Sequence, residues 1–81
     1  MDTRVAVLSI IIEKDDSVDE VNELLHQYRR YIIGRMGIPY RERDLYIICI
    51  SLDAPMDQIN ALSGALGRLD GVSAKASLAK H

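Results

Sequence analysis

Hydrophobic positions in this chain fall into six stretches that differ in period. The first, Arg4 to Glu13, is almost continuously apolar: Val5, Ala6, Val7, Leu8, Ile10, Ile11 and Ile12, broken only by Ser9. A short β-branched run of this kind predicts a strand buried on both faces. Lys14-Asp15-Asp16 reads as a polar turn, and Ser17-Val18-Asp19-Glu20 fits a capping box, with Ser17 capping a helix and Glu20 returning to its backbone. Val18, Val21, Leu25, Tyr28 and Ile32 then recur at helical spacing, with Leu24 and Tyr31 widening the stripe. Acidic residues open this helix (Asp19, Glu20, Glu23) and Arg29 and Arg30 close it, which complements the helix dipole.

Ile32 to Pro39 predicts a second strand. Its two glycines, Gly34 and Gly37, and its terminal Pro39 weaken a central position and suit an edge. Tyr40 to Asp44 is a connecting loop, and Leu45 to Leu52 is a second run apolar on both faces. Asp53-Ala54-Pro55 opens a second helix with Pro55 in its first turn. Ile59, Leu62, Leu66 and Leu69 form the buried stripe of that helix, and Asp70-Gly71 ends it, Gly71 supplying the left-handed residue. Val72 to Leu78 alternates strictly and predicts a strand wet on one face.

The order β-α-β-β-α-β predicts an α+β, ferredoxin-like sandwich: a four-stranded antiparallel sheet with two helices on one face. Such a fold puts its first and third strands in the centre of the sheet. Those are the two runs that are apolar on both faces. The uncovered face of the central strands would then display one alternate set, either Val5, Val7, Ser9 and Ile11 or Ala6, Leu8, Ile10 and Ile12. An open apolar patch of that size marks an interface, so a homo-oligomer is expected, a dimer or higher, packed sheet to sheet or with strands continuing across subunits.

Composition sharpens this expectation. The chain has 81 residues, 48% of them apolar, with four tyrosines and no Phe or Trp. Residues 1–81 are expected to form a single domain, with no internal repeat or linker. A domain of this size buries only about 60–65% of its unfolded surface, and oligomerisation is the usual remedy where disulfides and metals are lacking. One cysteine, Cys49, excludes an internal disulfide. No apolar run approaches the ~20 residues of a membrane span and the start is not that of a signal peptide, so a cytoplasmic protein is expected, with no membrane partner.

Candidate chemistry is sparse. His26 and His81 are the only histidines, and His26 shares the polar helix face with Asn22, Glu23, Arg29 and Arg30, so no metal site is expected. Cys49 sits mid-strand in an apolar run, where cysteine acts as a small hydrophobe. With no nucleophile–base spacing and no phosphate loop, neither an enzyme nor a cofactor is expected. Charge is uneven within the net −2. Residues 1–28 carry two basic and seven acidic groups, net −5, whereas residues 29–43 carry five arginines and Glu42, net +4. The Arg29–Arg43 segment supports an alternative reading as a direct nucleic-acid-binding protein. That reading is disfavoured: Tyr46 alone would offer a stacking platform, and Arg41 and Arg43 can pair with Glu42 and Asp44. The other anomaly is Ser63-Gly64-Ala65-Leu66-Gly67. Each glycine inside a helix costs roughly 1 kcal/mol against alanine, and Gly64 and Gly67 share a face near Asn60 that would admit close approach. Gly34, Arg35, Gly37, Tyr40 and Arg41, together with Asn60, Ser63, Gly64 and Gly67, are therefore the expected ligand or partner contacts.

Three segments together resemble one family: 21–26, Ile33-Gly34-Arg35-Met36-Gly37-Ile38-Pro39-Tyr40-Arg41, and 61–72 with its Leu-Ser-Gly-Ala-Leu-Gly run. This is the iron-only hydrogenase system regulator family, small proteins encoded near hydrogenase maturation enzymes in anaerobic bacteria. The resemblance spans essentially the whole chain. It implies a regulatory role, transcription regulation included, and a partner that could be another regulatory or hydrogenase-maturation protein. The family is similar in fold to ACT domains and to the C-terminal domain of nickel-responsive regulators, both oligomerising sensors. The clustered His and Cys of the nickel regulators are absent here. So is the glycine that ACT domains carry in the first strand–helix loop, where this chain has Lys14-Asp15-Asp16-Ser17.

Overall fold

Antiparallel pairing of the two all-apolar runs builds the centre of the molecule. The structure, a computed structural model, describes residues 2–80; His81 lies outside the described residues. Strand β1 (Arg4–Ile12) leads through a 3-10 turn (Asp15–Ser17) into helix α1 (Val18–Gln27). A second 3-10 turn (Arg29–Tyr31) precedes β2 (Ile32–Tyr40), and a third (Arg41–Arg43) precedes β3 (Leu45–Ala54). Helix α2 (Met56–Gly67) and strand β4 (Val72–Leu78) complete the chain. The strands form one antiparallel sheet in the order β2-β3-β1-β4, so the ferredoxin-like expectation holds, including which strands are central.

Register resolves what periodicity left open. Ala6, Leu8, Ile10 and Ile12 of β1 lie opposite Leu52, Ile50, Ile48 and Tyr46 of β3, and this even-numbered set faces the helices. It meets Val21 and Leu25 from α1 and Ile59, Leu62 and Leu66 from α2 in a single core. Apart from Ile48, which keeps a small exposed edge, the larger aliphatic side chains here are fully buried, a gross gain of about 1.5–3 kcal/mol apiece. The odd-numbered set, Val5, Val7, Ser9 and Ile11, lies on the uncovered face. Edge strand β2 carries a register shift between Ile32 and Gly34. A bulge of this kind blunts stray pairing at a sheet edge.

Local expectations fail where a distant segment competes. Ser17 precedes α1 but makes no capping bond. Its backbone is helical rather than extended, so its hydroxyl cannot reach back to the first helical amides. Instead Ser17 is buried and its Oγ donates to the carbonyl of Asp70, in the turn before β4. The first helix also ends earlier than its stripe suggests. Ile32 leaves it to pair with Leu52, and Arg29 donates to the His26 carbonyl at 3.0 Å, satisfying an end group of α1. Helix α2 stops at Gly67, and the chain turns through Arg68–Asp70 before reaching Gly71, whose φ of 71° is the left-handed value expected of it. The expected pairing of Arg41 and Arg43 with Glu42 and Asp44 does not form. Among the described residues the one ion pair joins Lys14 to Asp70 at 2.8 Å. The short Arg41–Arg43 turn and a left-handed Asp44 (φ 54°) hold these side chains apart on an exposed loop.

Candidate functional site

Alternation along β2 divides the predicted contact residues between two faces of the sheet. Gly34 and Tyr40 lie on the open face, opposite Ser51 and Leu45. Arg35 and Gly37 lie on the helix side, opposite the buried Ile50 and Ile48. Arg41 follows in the 3-10 turn, where it lines a cavity of 360 Å³ with Asp15, Pro39, Asp44, Leu45 and Tyr46. The remaining candidates sit elsewhere. Helix α2 packs on β4 and β1, the half of the sheet away from β2. Its Asn60, Gly64 and Gly67 are exposed, with Ser63 half-buried. A Cβ at Gly64 would meet only the Arg68 guanidinium, at 3.5 Å, so Gly64 does not pack against its own sheet. The nine residues therefore fall in four places rather than one site.

The open face is the most extensive of these. Cross-strand rows run Ile38–Ile47–Ile11, then Met36–Cys49–Ser9, then Gly34–Ser51–Val7, with β4 supplying Ser73, Lys75 and Ser77 at the far ends. Apolar side chains thus gather on β2, β3 and β1, and the β4 margin is polar. Val7 and Ile11 are each 42% exposed, Ile38 44% and Met36 55%. Cys49 is a free, half-buried thiol in this layer, flanked across the strands by Met36 and Ser9.

On the helix side, a groove of 180 Å³ opens between α1 and the β2–β3 pair. Val18 and Asn22 of α1 form one wall. Arg35, Gly37, Ile38 and Pro39 of β2, with Tyr46, Ile47 and Ile48 of β3, form the rest. The Arg35 guanidinium crosses the groove to donate to the Asn22 side-chain oxygen. Sequence reasoning put Asn22 on the solvent side of α1; no local signal links it to a residue 13 positions on in another element. A third, larger cleft of 400 Å³ runs between the helices, where Glu20, Glu23 and Leu24 face Ala65, Arg68 and Leu69. Elsewhere the Asp70 carboxylate, bonded to the Lys14 ammonium, holds the lysine pKa above its ordinary 10.5. Among the described residues no group of three or more His, Cys, Asp or Glu side chains converges for a metal, and no helix is long and apolar enough to cross a membrane.

The sheet order, the two helices on one face and the uncovered apolar layer define a small ferredoxin-like α+β protein. Over residues 4–76 it matches the TM1266-like family, described as "Iron-only hydrogenase system regulator, putative". The chain belongs to that family. It is similar to the solved structure of the uncharacterized protein TM1266 from Thermotoga maritima, with 38% identity and a TM-score of 0.94 over 98% of this chain and 100% of that one. A formyltetrahydrofolate deformylase from Pseudomonas putida KT2440 shares the fold alone, at 14% identity and a TM-score of 0.69, over 95% of this chain and 29% of the deformylase. No curated protein matches the chain.

Proposed function

We propose that this protein is a non-enzymatic, cytoplasmic regulator of the iron-only hydrogenase system that works as a homo-oligomer and responds to a ligand or partner protein. The whole chain acts as one domain in this reading, and transcription is one process it could control. The observation that carries it is the open sheet face. Val5, Val7, Ile11, Met36 and Ile38 expose large apolar side chains on one layer of a protein with little core to spare. Covering such a layer with the same layer of a second copy removes it from water on both sides. The rows of Ile, Val and Met are suited to packing at the ~10 Å separation of stacked sheets. A non-enzymatic role fits Cys49, whose cross-strand neighbours Met36 and Ser9 include no base to activate it.

Light scattering on the purified protein tests the assembly. The wild type should give a mass of at least twice 9.1 kDa, and Ile11→Asp, which places a charge in the middle of the face, should give the monomer with an unchanged circular dichroism spectrum. A wild type that stays monomeric at micromolar concentration overturns the proposal. Titration into labelled promoter DNA at several salt concentrations separates the nucleic-acid reading, since phosphate contacts weaken steeply with salt.

A further inference from the structure

We infer that the groove between α1 and the β2–β3 pair is a binding site for a small, branched aliphatic monocarboxylate. This gives a ligand class to the sensing half of the proposed function and is independent of how the subunits assemble. Three features of the groove converge on that class. The first is an anion receptor with capacity to spare. Arg35 carries five N–H donors, its bond to the Asn22 side chain uses one of them, and it has no carboxylate partner among the described residues. Tethering by Asn22 restrains the guanidinium at the groove, and a planar guanidinium with free donors suits a bidentate carboxylate.

The second feature is an apolar wall. Val18, Ile48 and Pro39 line the same groove as the guanidinium, which matches a carboxylate carrying a short branched tail. A phosphate would leave that surface wet and would find one cation where such groups recruit several donors. No Asp or Glu lines this groove, so no charge there would balance an ammonium, and the amine of an α-amino acid would lose more hydration than it recovers. The third feature is Gly37. Its position opposite Ile48 directs a Cβ to the helix side, and that Cβ would meet nothing within 4 Å. The missing side chain is part of what keeps the space open. With a volume of 180 Å³, the groove falls below the ~300–1,000 Å³ of sites for drug-sized ligands and suits a molecule of few heavy atoms.

The probe is isovalerate, titrated into ¹⁵N-labelled protein while the backbone amides and the arginine Nε signals are followed by NMR. Saturating shifts are expected at Gly37, Ile48 and the Arg35 Nε. Isovaleramide, which removes the charge, should leave these signals in place. Valine, which adds an ammonium to the same skeleton, and inorganic phosphate should each bind more weakly by about tenfold or more. Arg35→Gln should weaken isovalerate by a similar factor. Gly37→Val should abolish binding by filling the groove while keeping Arg35, and valine is a favourable strand residue, so that variant keeps the fold. Shifts that never saturate, or that survive both substitutions, overturn the site. Valine or phosphate binding as tightly as isovalerate overturns the ligand class. These readouts are separate from the light-scattering mass, so failure of the binding site and failure of the assembly are distinguishable.

Discussion

Two glycines, one inside α2 and one just before β4, should respond to the same substitution with opposite signs. Gly71 precedes β4 with φ at 71°, and its carbonyl accepts the Glu13 amide at 2.7 Å. An alanine there enters the left-handed region, which costs roughly 1–2 kcal/mol for a residue with a Cβ. That Cβ would also stand 2.7 Å from Cγ of Lys14 and 3.0 Å from its Cβ. Cβ and Cγ are the root of the lysine side chain, so relief requires the backbone at Lys14 or Gly71 to shift. A loss of at least about 1–2 kcal/mol is therefore expected for Gly71→Ala. Gly64 is inside α2, where a Cβ would meet only the Arg68 guanidinium at an ordinary 3.5 Å. Removing the backbone freedom of that glycine should stabilise the fold by about 0.5–1 kcal/mol. Each kcal/mol moves the midpoint of a domain this small by about 4–8 °C, so the two variants should melt on opposite sides of the wild type. Thermal and urea melts followed by circular dichroism measure this. Protein concentration must be held fixed, because association shifts the midpoint. A neutral Gly71→Ala, or a destabilised Gly64→Ala, would refute the reasoning. A stabilising Gly64→Ala would mean that this glycine is kept at a cost in stability, as a contact surface on α2 requires.

Two further outcomes probe the junction of α1 with the last turn. Ser17→Ala should lower stability by about 1–2 kcal/mol in urea melts, because it strips a buried hydroxyl from the Asp70 carbonyl; Glu20→Ala should stay within about 0.5 kcal/mol, as the reciprocal capping bond does not form. Equal losses from both would restore the capping box. Removing the Lys14 ammonium in Lys14→Met should also change the alkaline limb of stability. The folded lysine has its pKa raised by Asp70, so its contribution is fully present below the ordinary 10.5 and fades as the pH climbs through the folded value. The gap between wild type and Lys14→Met should accordingly be constant through the neutral range and close at strongly alkaline pH; a gap that opens instead at acidic pH, with none lost above, would contradict this.

How far the residues themselves foretold the molecule can be judged from particular elements. Continuous apolar runs at 5–12 and 45–52 marked the central strands, and glycine, proline and strict alternation marked the edges, because burial on two faces and burial on one leave different periods. The family was legible too, through the Gly34–Arg41 and 61–72 segments. The candidate contact residues, by contrast, were read as neighbours in the chain, and the fold scatters them. Gly34 and Arg35 are adjacent in the chain and lie on opposite faces of the sheet, and Gly64 belongs to a helix packed over the other half.

What the sequence by itself determined is therefore the set of elements, their order and their central or edge positions, all of which follow from local period and turn chemistry. Only the tertiary structure decided which alternate set of β1 faces water, since both sets carry three large aliphatic residues, Ser9 alone separates them, and the choice rests on the register with β3 and on where the helices land. It alone likewise decided that Ser17 bonds to Asp70, 53 residues away, and that Arg35 reaches Asn22 across the groove. A side chain's partner is set by whatever the fold brings beside it, and a polar group about to be buried takes the partner that satisfies it, near or far in the chain.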